Sequence, residues 1–402
     1  MYAHSMVQSV LKTEKGRNMK KEINVGLLGY KFMGKAHANG YARIPLFFSP
    51  DYKINLKTVC GRSEKDVAEA ARALGFEGYE TDWQKLVSRE DIDVIDITAP
   101  SNFHYPVAIK AAENKKHIFC EKPLALTTQM AQEMLDAAND NGIKHQIGFN
   151  YRFAPAVLLA KKLIEEGKLG QIYHFRGAYL QDWIVDPAFP LVWRMDKNVA
   201  GSGSHGDLGA HVIDLARFLV GEVSNVIGMG KTFIKERPIV EHMTGLSATA
   251  REGAQMGEVT VDDATLFLAQ FQNGALGSFE ATRFAYGHDN DLHFEINGSK
   301  GSVRFHLERI NELEYFNAED EAGLRGFRTI QVTHPMHPYM DKWWPPGHVI
   351  GYEHTFVHEL YEFLESIDKN KKTSPDFYDG LMCCKVLDAV EESVRKREWI
   401  EI

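Results

Sequence analysis

A chain of 402 residues, 44% hydrophobic and 25% charged, is long enough for two domains that each bury a core, and its composition is ordinary for a soluble globular protein. A formal net charge of −9 argues against a general nucleic-acid or membrane surface, and no apolar run is long enough to span a bilayer. The four cysteines, Cys60, Cys120, Cys383 and Cys384, end strands or stand side by side in a helix, a pattern of buried free thiols in a reducing cytoplasm rather than a disulfide framework or metal knuckle.

Residues 1–20 are polar, mixed in charge and lack the apolar centre of a secretion signal; they read as a disordered leader, with Met19-Lys20-Lys21 as a natural start. Residues 21–148 then alternate apolar strands (23–28, 56–60, 94–98, 117–120, 144–149) with helices (34–42, 64–74, 105–114, 128–141). That alternation predicts an α/β Rossmann domain with a doubly wound parallel sheet. From 149 to 402 the pattern changes to an α+β domain. A helix over 155–166 precedes strands at 171–180, 223–234, 263–271, 275–285, 292–296, 302–305 and 329–333, and helices 353–369 and 378–396 close the chain. Asn273-Gly274 and Asn297-Gly298 are hairpin-turn signals. These strands predict a large, mainly antiparallel open sheet with helices on one face. Its bare face calls for a partner, so a homodimer or homotetramer is expected.

Three motifs carry chemistry. Gly29-Tyr30-Lys31-Phe32-Met33-Gly34 follows the first strand and opens a helix, as a dinucleotide turn does. Gly29 and Gly34 fit that turn. Lys31 stands where a second glycine is usual and either adds a charge to the phosphate contact or weakens the fit. The second strand ends Cys60-Gly61-Arg62-Ser63 without the acid that usually holds the adenosine ribose; Arg62 suits a 2′-phosphate, so the cofactor is NAD or NADP. The strand ends at Thr98 and Pro100, with Asn102 just beyond, are where cofactor contacts gather. Glu121-Lys122-Pro123 sets a lysine at the carboxyl edge of the sheet, with the proline starting the next helix. Farther on, a glycine-rich segment runs into a helix bearing Asp207 and His211, four apart and so on one face, with Asp214 in reach. A carboxylate beside an imidazole orients it for proton transfer. His354 and His358 have a metal-ligand spacing, but helix packing is the preferred reading, and no metal is expected.

Together these motifs resemble the Gfo/Idh/MocA family of nicotinamide-dependent sugar and polyol dehydrogenases, over nearly all of the chain from Lys21 to Ile402. Phe32-Met33-Gly34-Lys35-Ala36-His37, Phe149-Asn150-Tyr151-Arg152, Tyr179-Leu180-Gln181-Asp182-Trp183 and Gly326-Phe327-Arg328-Thr329-Ile330 look most like its branch that oxidises levoglucosan, inositols and glucosides. The resemblance implies a catalytic set of Lys122, Asp207 and His211, and cofactor contacts at Gly29, Lys31, Phe32, Met33, Arg62, Thr98, Pro100, Asn102, Glu121 and Lys122. It implies a sugar or cyclic polyol bound by Asn150, Tyr151, Arg152, Gln181, Asp182, Trp183 and Arg194 together with Asp207 and His211, a polar and aromatic mix suited to a sugar ring. Two other activities occur among such relatives: glycoside hydrolysis through transient oxidation, and sugar sensing without catalysis.

Overall fold

A computed structural model of the chain describes residues 20–402 apart from 241, 245–246 and 252. The expected leader, Lys20 excepted, lies outside the described residues. Strands β1 (Lys21–Leu28), β2 (Tyr52–Cys60), β3 (Gly78–Glu80), β4 (Val94–Ile97), β5 (His117–Cys120) and β6 (His145–Ile147) form one sheet in the order β3-β2-β1-β4-β5-β6. Every pairing is parallel. Such strands are covered on both faces, which is why β4 is buried along its whole length. The order reverses between β1 and β4, and ligands of open α/β sheets bind at that switch, beyond the carboxyl ends of the strands.

Helix α1 (Phe32–Phe47) begins two residues before the expected start and continues through Pro45. A short strand, β3, and a helix over Trp83–Ser88 were not anticipated; three and six residues are too few to show a period. Pro123 does not open a helix. Its bond to Lys122 is cis, and α2 (Thr128–Asp140) starts five residues later, where the Thr127 side chain accepts from the Met130 amide.

The second sheet has nine strands: β7 (Ile172–Leu180), β8 (Val223–Lys231), β9 (Ala264–Phe271), β10 (Leu276–Thr282), β11 (Asp291–Gly298), β12 (Gly301–His306), β13 (Glu312–Asn317), β14 (Arg328–Gln331) and β15 (Ile400–Glu401). Their order is β14-β13-β12-β11-β7-β10-β9-β8-β15, antiparallel except for β7 against β10. The expected strands over 223–234 and 275–285 stop earlier, and β13 and β15 were not foreseen. Alternation along β9 sends Phe267, Ala269 and Phe271 into the core, where Phe267 stacks on Phe279 at 4.3 Å. The other face stays open and shows Met229, Leu266, Leu268 and Leu276, each at least 41% exposed.

Helix α3 (Ala210–Leu219) and α4 (Phe377–Lys396) pack inside the largest core cluster, which runs through both sheets. Helix α5, Tyr352–Asp368, returns to the first sheet: Val357, Leu360, Phe363 and Leu364 join Ile23, Val25, Tyr41 and Phe119 in one cluster. His354 accepts from the Gly351 amide, and His358 sits between the Phe153 carbonyl and the Trp343 indole N–H, so this pair is helix packing. All four cysteines are free and buried. Among the described residues no helix is long and apolar enough to cross a membrane.

Candidate active site

A cleft of about 1390 Å³ runs along the carboxyl ends of β1, β2, β4 and β5 and across to β7 and the start of α3. At the glycine turn, Gly29 has φ +99°, and a Cβ there would lie 2.9 Å from the Thr98 carbonyl. A Cβ on Gly34 would lie 2.2 Å from the Gly29 oxygen. Both positions therefore require glycine for the turn to stay tight against the sheet. Thr98 Oγ1 donates to the carbonyls of Leu28 and Gly29, both at 3.0 Å. Lys31 takes the N-cap position of α1, whose first turn holds no acidic side chain, so the amides and dipole at this terminus suit an anion such as a pyrophosphate.

Lys31, Phe32, Met33, Pro100 and the exposed Arg62 line the cleft. Asn102 does not: it is exposed and lies outside the cleft wall. Tyr30, whose ring covers Gly61 so closely that a Cβ there would lie 2.1 Å away, and Asp66 also line the cleft and had no motif to announce them.

At the other end, Lys122 Nζ donates to Asp207 Oδ1 at 2.8 Å and to the Asp207 carbonyl at 2.7 Å. Arg283 Nη2 donates to Asp207 Oδ2 at 2.7 Å. Asp207 sits in a single π-helical turn, His205–Gly209, which feeds directly into α3 and His211. Such turns recur at functional sites. Asp262 pins this turn by accepting from the Gly203 amide (2.7 Å), the His205 amide (2.9 Å) and Ser204 Oγ (2.6 Å). Burial works against ionisation of Asp207, but Lys122, Arg283 and Arg194 outweigh it and hold the carboxyl well below its usual range. His211 goes the same way for different reasons: burial and the Lys122 charge push its pKa well down, against Asp207, so the imidazole is neutral. Its ring packs 4.6 Å from Tyr151 and 5.9 Å from Tyr179.

Glu121 reaches the cleft wall, but its carboxylate serves the layer behind. It accepts from the Lys122 amide at 3.1 Å and from His37 at 3.1 Å, while the other His37 nitrogen faces Asp96 at 2.9 Å. Tyr41 donates to Asp96 at 3.0 Å. Burial disfavours a charged His37, yet Asp96 and Glu121 raise its pKa well above the ordinary value, so a cation sits between two carboxylates, one of which also holds the Lys122 amide.

On the far wall runs a hydrogen-bonded row. Tyr151 and Tyr179 share a 2.8 Å bond, Tyr179 donates to Asn290 Oδ1 at 2.8 Å, and Gln181 donates to the same oxygen at 2.7 Å. Trp183 Nε1 donates to Gln181 Oε1 at 2.8 Å. Arg194 also faces the cleft, 4.5 Å over the Trp193 ring. Asn150 lines the cleft and donates to Thr355 Oγ1 at 2.8 Å. Two expected contacts are not brought here. Arg152 is buried in a two-bond pair with Asp214 (2.8 and 2.5 Å) and a third bond to Asp379 (3.0 Å), which also removes Asp214 from the site. Asp182 stays off the cleft wall, its Oδ2 taking the Gly287 amide at 3.4 Å. Tyr179, Arg283, Asn290 and Tyr352 also line the cleft; of these only Tyr179 falls in a family-like stretch, and the others carry no motif in the sequence.

Residues 23–149 match the oxidoreductase family with an NAD-binding Rossmann fold, and residues 157–304 match the GFO/IDH/MocA C-terminal domain. Levoglucosan dehydrogenase of Pseudarthrobacter phenanthrenivorans is 46% identical over 385 residues, covering 95% of this chain and 98% of its own. A solved structure of levoglucosan dehydrogenase in complex with NADH and levoglucosan aligns with a TM-score of 0.90 at 46% identity, over 95% of this chain and 100% of that one. The NAD(+)-dependent scyllo-inositol 2-dehydrogenase of Bacillus subtilis is 31% identical over 294 residues, 71% of this chain and 74% of its own. The chain belongs to the Gfo/Idh/MocA family of oxidoreductases with an NAD-binding Rossmann fold.

Proposed function

We propose that this protein is an NAD-dependent dehydrogenase that oxidises a secondary hydroxyl of an anhydrosugar, with levoglucosan the first candidate and inositols next. The observation that carries the reading is the meeting of Lys122 and Asp207 beside a neutral His211 in one cleft. The nicotinamide, when bound, accepts the hydride. His211 takes the hydroxyl proton, for which its depressed pKa keeps it ready. Lys122 hydrogen-bonds the same oxygen and stabilises the negative charge that grows on it. Asp207, clamped by Lys122 and Arg283, fixes the lysine and accepts from a neighbouring hydroxyl of the ring. The Tyr151–Tyr179–Asn290–Gln181–Trp183 row gives the ring an aromatic and amide wall.

Gly29, Lys31, Phe32, Met33, Arg62, Thr98 and Pro100 are the proposed cofactor contacts. NAD is favoured over NADP because the levoglucosan dehydrogenase relative was solved with NADH and because Asp66 lines the same cleft as Arg62, a carboxylate that disfavours a 2′-phosphate. The apolar residues on the open face of the nine-stranded sheet support a homodimer or homotetramer through that face, and the four buried free thiols support a cytoplasmic setting. A division near residue 148 is supported by the end of β6 at Ile147. The test is NADH formation with a panel of anhydrosugars, inositols and glucosides, run with both cofactors. Turnover of levoglucosan with NAD is expected; no reduction of either cofactor by any member of the panel would sink the proposal.

A further inference from the structure

We propose that Asp291, His293 and His306 form a binding site for a zinc-class divalent transition metal, with His288 orienting the Asp291 carboxylate. The site is independent of the reaction proposed above, and none of its residues lines the cleft.

The strand pleat assembles it. Asp291 and His293 are two apart on β11 and so share a face. His306 lies directly across from His293 on β12. One ligand atom from each of the three lies within 4.8 Å of the others. Asp291 Oδ2 is 3.2 Å from His293 Nδ1, and Oδ1 is 3.7 Å from His306 Nδ1. Ligands about 2.0–2.2 Å from a tetrahedral ion stand about 3.3–3.6 Å apart; the two carboxylate–imidazole separations lie near that range, and the separation between the two imidazoles, within 4.8 Å, closes by side-chain rotation. The imidazoles of His293 and His306 are stacked, with centroids 5.1 Å apart.

The decisive detail is at His293. Its Nδ1 is buried and close to the carboxylate yet has no hydrogen-bond partner. A ring nitrogen 3.2 Å from a carboxylate oxygen but not directed at it, so that no hydrogen bond joins them, is the disposition of two ligands that converge on a shared ion. His288 Nδ1, in contrast, does hydrogen-bond Asp291 Oδ2, at 2.9 Å. Ligating carboxylates are commonly held by such a partner. Two imidazoles and one carboxylate select zinc-class ions over calcium or magnesium, which want more oxygen donors. Three protein ligands leave a fourth position open. The cluster lies one residue from Asn290, so a bound ion would brace the turn that presents Asn290 to Tyr179 and Gln181.

The test uses full-length protein, freed of any affinity tag and stripped with a chelator. Zn²⁺ is titrated in competition with a chromophoric chelator, and Co²⁺ is followed by its visible d–d bands. Wild type is expected to bind one tight equivalent per chain, with tetrahedral cobalt bands and a raised Tm. His293→Asn/His306→Asn should lose that equivalent, and His288→Asn should bind about 10–100-fold more weakly. Equal stoichiometry and affinity in wild type and the double variant would overturn the proposal, as would the absence of tight binding by wild type. The double variant in chelator should match stripped wild type in Tm and turnover, which separates a lost ligand from a lost fold. If it does not fold, His306→Gln replaces it, at a side chain 42% exposed, and must also lose the tight equivalent.

Discussion

Two cation–carboxylate pairs lie near opposite ends of the segment 207–214, and they do opposite things. Lys122–Asp207 opens on the cleft, the Asp207 side chain being 27% exposed. Arg152–Asp214 is sealed, with its side chains 5% and 2% exposed. Three cations surround Asp207 and keep it ionised despite burial. Asp214 has Arg152 and Arg217 but also faces Asp379, and burial wins, lifting its pKa to about 6. Residue type therefore does not decide whether a buried ion pair is machinery or scaffold; access and the count of neighbouring charges do.

The comparison breaks most sharply by mutation. Lys122→Ala and His211→Ala should each lower kcat by about 10²–10⁴-fold while leaving the folded state in place, checked by steady-state kinetics beside thermal melts. Retained turnover in either would remove the cleft pair from the chemistry. Arg152→Ala should do the reverse, costing about 3–5 kcal/mol in chemical denaturation because Asp214 is left buried without the guanidinium that bonds both its oxygens, with kcat per folded molecule unchanged. A fall in kcat without a fall in stability would return Arg152 to the substrate site.

Acid separates the histidines packed in the core from the one that lines the cleft. His145 and His358 are pushed down by burial, to about 4 and about 3. Unfolding lets each take up a proton below its ordinary 6.5, so stability is full above that pH and falls as the pH drops, by about 1.4 kcal/mol per unit from each histidine until its folded value is reached. Denaturant midpoints between pH 6.5 and 4 read this slope, and His358→Gln should flatten it. His211 differs because Lys122 adds to its depression. Lys122→Met should raise the His211 titration seen by NMR and leave His358 unmoved. The smallest effect is expected from Tyr179→Phe, which removes one donor to Asn290 and should cost about 0.5–1.5 kcal/mol in kcat/KM.

What was legible in the sequence follows the range of the interactions. The parallel sheet, the glycine turn and the place of Lys122 rest on local pattern, since a strand end fixes where its next residue points. Asp207 and His211 were found by a helical spacing, although the turn between them is a π turn and not α-helix. Arg152 was misread because its partners, Asp214 and Asp379, stand 62 and 227 positions away, and Arg283 was missed because its partner Asp207 is 76 positions off. The row through Asn290 has the same character: each bond but that of Trp183 to Gln181 joins residues 28 or more apart, and no short window contains it.

Helix α5 has a consequence for how the chain is made. Ile23, Val25, Tyr41 and Phe119 are covered by Val357, Leu360, Phe363 and Leu364, which leave the ribosome more than 200 residues after the last of them. The amino-terminal unit is thus synthesised early and completed late, with one apolar flank bare for most of translation. A truncation anywhere before α5 exposes that flank permanently, so fragments of the first sheet alone should aggregate where the whole chain does not.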